Sequence, residues 1–112
     1  MKRIAHDLNN HITALLSFCD LVLAALPSDH ALRTRIESIR SIGEQAVMRT
    51  VPDIARVNQV AEHVTQLRQL AYRALAEVTD SRSPIYADVL EIAMAIEGAI
   101  AVVNRPHARD AA

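Results

Sequence analysis

Apolar residues recur at alternating steps of four and three along most of this chain, a period that fits the seam of packed helices and not the two-residue alternation of a strand. The first run is Ile4, Leu8, His11, Leu15, Phe18 and Val22, with His11 in an apolar register. A second stripe, Ala5, Ile12, Leu16, Cys19 and Leu23, lies beside it. So broad a face needs more than one partner helix. Two glycines and four prolines in 112 residues leave little material for hairpin turns. Aromatics are 3% of a chain that is 51% apolar, so the core is aliphatic. These features predict an all-α fold of antiparallel helical hairpins forming a four-helix bundle, closed within one chain or by dimerisation.

At 12.3 kDa the chain is one domain, here residues 1–105. Helix 1 is expected over about 2–26, ended by Pro27, with Ser28 or Asp29 capping the next helix. Helix 2 is expected over about 30–50, with Leu32, Ile36, Ile39, Ile42 and Ala46 inward. Its Arg33, Arg35, Glu37 and Arg40 read as a solvated face. The short connection makes residues 3–50 a hairpin. Pro52 breaks the chain. Helix 3 follows over about 53–78 on Val57, Val60, Val64, Leu67, Ala71, Ala74 and Val78. Ser83 is the expected N-cap and Pro84 the first residue of helix 4, which reaches about residue 104 and completes a second hairpin over 53–104. Helix 4 is apolar nearly all round, which predicts the most buried helix. Residues 106–112 read as a flexible tail.

A net charge of −1 gives no electrostatic footprint for nucleic acid or an anionic membrane. One cysteine, Cys19, excludes an internal disulfide and suits a reducing cytoplasm. The apolar start is interrupted by Asp7, Asn9, Asn10, His11 and Asp20, unlike a usual signal peptide, and the run over 92–103 is too short to span a bilayer. The expectation is a cytoplasmic protein with no membrane contact.

The chemistry concentrates at Ile4-Ala5-His6-Asp7-Leu8-Asn9-Asn10. His6 and Asn10 are four apart and stack on one helix face, whereas Asp7 lies about 100° around from His6. A neutral imidazole is a nucleophile near pH 7, an adjacent carboxylate can take or orient its proton, and an amide can position the reacting group. The nearby helix N-terminus favours a neutral ring and welcomes an anion. The candidate catalytic residues are therefore His6, Asp7 and Asn10.

Residues 3–50 resemble the dimerisation and histidine-phosphotransfer hairpin of two-component sensor histidine kinases. The His6-Asp7-Leu8-Asn9-Asn10 run is similar to that family's phosphoacceptor motif, Thr13 to Leu16 continue helix 1, Leu26 to Asp29 fall at the usual hairpin turn, and Leu32 to Ala46 resemble the second helix. The resemblance implies that His6 carries phosphate, assisted by Asp7 and Asn10. It also implies a response-regulator receiver domain or a histidine kinase as partner, and a homodimer. It implies no cofactor of the chain's own, Mg²⁺ entering only through a partner receiver. Three departures narrow this. No ATP-binding domain follows, so the chain is not an autonomous kinase. His11 stands where the family has an aliphatic residue, and almost nothing precedes His6. Residues 51–112 do not match the family.

Function is thus expected to be transfer of phosphate between His6 and a receiver aspartate. The alternative is a non-catalytic helical module that docks on a kinase or regulator, and a third reading is a fragment whose remaining domains decide its role. The bland reading of His6 is a solvated histidine near a helix start. His11 five residues on is ill spaced to share a metal, and its default role is a hydrogen-bonded seam histidine. Cys19 reads as a small core hydrophobe. His30 reads as a helix starter, His63 as a boundary residue and His107 as tail.

Overall fold

The structure, a computed structural model, describes residues 2–49 and 53–105. It is all-helical: α1 spans Lys2–Ala25, α2 Ala31–Gln45, α3 Ile54–Glu77 and α4 Pro84–Val103, and no strand occurs among the described residues. Each helix meets two others: α1 touches α2 and α4, and α3 touches α2 and α4, with α1 and α4 sharing the most extensive interface. The helices enclose one aliphatic core within 44 × 21 × 18 Å. The expected break at Pro52 and the tail over 106–112, His107 included, lie outside the described residues.

The seam of α1 is a hybrid of the two expected stripes. Ile4, Leu8, Ile12, Leu15, Cys19 and Val22 are buried, while His11 and Phe18 are half-buried. Residues on the edge of an apolar arc lie between two neighbours, and at two turns the aliphatic or small residue wins the central place. Burial pushes the Cys19 thiol up to about 12, so it is an inert core group. On α2, Gly43 replaces the expected Ile42 as a buried residue. A Cβ there would sit 3.1 Å from Leu15 Cδ2, so α2 approaches α1 closely at this turn. Helix 3 buries Val57, Val60, Val64, Leu67, Ala71 and Ala74 as the spacing predicts, with Val78 half-buried at its C-cap.

Three boundaries follow from capping. Ser83 accepts from Ile85 N–H at 3.1 Å with Pro84 opening α4, as expected. The cap of α2 is His30, not Ser28 or Asp29: its Nδ1 accepts from Leu32 N–H at 3.1 Å. And α2 ends at Gln45, short of residue 50, because its last carbonyls find other donors. The Arg56 guanidinium donates to the carbonyls of Gln45 (2.7 Å) and Val47 (3.1 Å). The arginines of α2 are not simply a solvated face. Arg33 donates to the carbonyl of Leu23 at 2.8 Å at the end of α1, Arg35 pairs with Glu77 of α3, and Arg40 pairs with Asp20 of α1 at 2.7 Å. Helix 4 buries seven residues, yet Leu90 and Met94 are 39% and 58% exposed, so its outward face is apolar and open.

Candidate functional site

The motif occupies the first two turns of α1, and the helix sends its polar residues three ways. His6 and Asn10 point away from the core and are exposed. Asn10 Nδ2 faces His6 Nε2 at 3.5 Å, the outer limit of a hydrogen bond. With the amide N–H as donor, the Nε2 lone pair is turned toward Asn10 and the ring proton belongs on Nδ1. Attack through Nε2 then requires that this long contact open as a phosphoryl group arrives. Arg3, three residues before His6 and exposed, lies on the same face.

Asp7 turns toward α4. Its Oδ2 accepts from Arg105 Nη1 at 2.5 Å, a contact joining the start of α1 to the segment just after α4. The Asp7 side chain is 25% exposed, the lowest among the carboxylates that form ion pairs in the described residues. The Arg105 hydrogen bond holds its carboxyl below the usual range against the opposing effect of partial burial, with the charges of Arg105, Arg3 and His6 adding to it. The structure therefore brings His6 and Asn10 together and leaves Asp7 engaged elsewhere. No hydrogen bond joins Asp7 to the His6 ring among the described residues.

Asn9 takes the third direction. Its Nδ2 donates to the Met48 carbonyl at 2.7 Å and its Oδ1 accepts from Met48 N–H at 2.9 Å, which ties the segment after α2 to the motif. Sequence reasoning missed Asn9, Arg3 and Arg105. The spacing of Arg3 to His6 and Asp7, three and four residues, was a usable signal. The Asn9-Asn10 pair hinted that one amide faces a neighbour. Nothing local marks Arg105, whose partner is 98 residues away.

His11 sits against Gly98 of α4, where a Cβ would stand 2.5 Å from the imidazole. In the α1 seam His11 is thus a ring fitted over a glycine. Among the described residues no group of three His, Cys, Asp or Glu side chains converges as a metal site. A cavity of about 190 Å³ at the other end of α1 includes His30, Glu77 and Asp80, but His30 Nδ1 is already used as the cap of α2. An open depression along α3 is lined by Asn58, Glu62, Thr65, Gln66 and Gln69, and its hydroxyl, Thr65 Oγ1, donates to the Ala61 carbonyl at 2.9 Å. By length and composition the stretch Arg3–Ala25 is apolar enough to cross a membrane. Comparison with protein-family models, curated proteins and solved structures finds no match for this chain.

Proposed function

We propose that the chain is a histidine-phosphotransfer-like protein of cytoplasmic two-component signalling, its first two helices descending from a kinase phosphoacceptor hairpin. In this reading the four helices form an up-and-down antiparallel bundle in which α3 and α4 stand where a second copy of the hairpin would otherwise pack. The contacts of α1 with both α2 and α4 support that single-chain solution, and a homodimer, expected from the sequence, would form on an outer face such as that of α4. The observation that carries the reading is the exposed His6 ring with Asn10 at Nε2, uncovered by α3 or α4.

The step is simple to balance. The Nε2 lone pair forms an N–P bond as the P–O bond to a receiver aspartyl phosphate breaks, and the receiver aspartate leaves as carboxylate. The Nδ1 proton then passes to a base. Incubation with phosphorylated receiver domains is expected to place acid-labile phosphate on His6, and the signal disappears in His6→Gln. Labelling that survives His6→Gln sinks the site assignment. The non-catalytic docking module is the second reading, favoured by the engagement of Asp7 with Arg105 away from the ring. It predicts receiver or kinase capture unaffected by His6→Ala, with no phosphate transferred.

A further inference from the structure

We infer that Arg105 is a positioning residue for the His6 site, a latch that holds the Asp7 carboxylate in the α1–α4 seam until an anionic partner surface draws the guanidinium away. The inference rests on the phosphotransfer reading of His6 and adds its regulation.

Adjacent helical side chains lie about 100° apart, so Asp7 serves the His6 ring only by swinging out of the seam toward Nδ1, directly or through one water. Arg105 opposes that swing. Its Nη1 lies 2.5 Å from Asp7 Oδ2, and the carboxylate it holds is the least exposed of those in the ion pairs of the described residues. A pair so placed is screened less by salt than its fully solvated counterparts. The charged groups around Asp7 are Arg3 and His6 on its own helix and Arg105 from the end of α4; His11, one turn on, faces Gly98. As a stability device the pair has little to offer, because Arg105 is 42% exposed and surface ion pairs contribute little. Its consequence is positional: the one carboxylate beside the nucleophile is occupied. A partner carrying a phosphoryl group on an acidic surface competes for the same guanidinium. Once released, Asp7 accepts the Nδ1 proton as Nε2 forms its bond to phosphorus.

The test uses the full chain and a small donor, phosphoramidate, which needs no partner. Nε2 displaces ammonia from phosphorus, and peptide mass spectrometry at neutral pH gives the initial rate at His6, with His63 in the same sample as reference. Arg105→Gln is expected to raise the His6 rate about tenfold relative to His63, a fraction of what a fully formed general base supplies. Asp7→Asn/Arg105→Gln is expected to lose that gain. An Arg105→Gln rate at His6 equal to or below wild type, with helicity intact by circular dichroism, overturns the latch. So does a gain that persists in the double variant. If Arg105→Gln unfolds, Arg105→Met, which keeps the apolar stem but loses the cation, is read the same way: a rate above wild type supports the latch and one at or below overturns it. Failure of every variant to exchange phosphate with receivers counts against the phosphotransfer reading alone, because the phosphoramidate rates are measured without a receiver.

Discussion

Asn9 spends both halves of its amide on the backbone of Met48, donor to carbonyl and acceptor to N–H. Removing it strands a carbonyl and an N–H at a residue that is only 5% exposed. Asn9→Ala is therefore expected to destabilise the fold by about 1–3 kcal/mol in urea denaturation. A loss of a few tenths would mean that water replaces the amide. Asp7 sets a pH dependence of known sign. Its carboxyl is held below the ordinary value of 3.8 in the folded chain, chiefly by Arg105. Its contribution is complete above that value and is lost as pH falls through the lower folded one. The stability gap between wild type and Asp7→Asn, small because the pair is exposed, should be constant above roughly pH 4, the ordinary aspartate range, and change as pH falls below it; a gap that stays the same at every pH would contradict it. The His6–Asn10 pairing was legible because helical spacing alone sets it. The destinations of Asp7 and Asn9 were not, because they depend on chain ends that meet only after folding.

Between elements, α1 and α4 approach closely at His11 and Gly98. Glycine inside a helix ordinarily costs about 1 kcal/mol against alanine. Here the added methyl meets the imidazole, so Gly98→Ala is expected to lower the thermal midpoint in the wild-type background. In His11→Ala, where the space is free, the same change is expected to raise it. Equal effects in both backgrounds would show that the ring moves aside without cost. The four helices and most of their inward positions were readable from the 3-and-4 period together with the scarcity of glycine and the Ser83-Pro84 start signal. The end of α2 was not, because no breaker stands at Gln45; the carbonyls there are taken by Arg56 from the next helix. Nor was the choice of Gly43 over Ile42, which hydropathy ranks the wrong way and which only the close approach to Leu15 explains.

For the whole molecule, the second half of the chain closes the core. Residues 51–112 match nothing in the kinase resemblance, yet α3 and α4 complete the core and the segment after α4 carries Arg105 to the motif. A bundle closed by its own helices is expected to run as a single species of 12.3 kDa by light scattering at micromolar concentration. Twice that mass would favour the dimer and direct attention to the open face of α4 at Leu90 and Met94. The proposed function turns on whether the outward His6 accepts phosphate. Its most direct measurement is phosphotransfer from a panel of labelled receiver domains to the wild-type chain and to His6→Gln. Acid-labile label is expected on the wild type with at least one receiver and none on His6→Gln. Label on neither, with every receiver shown to be phosphorylated, or equal label on both, would contradict it.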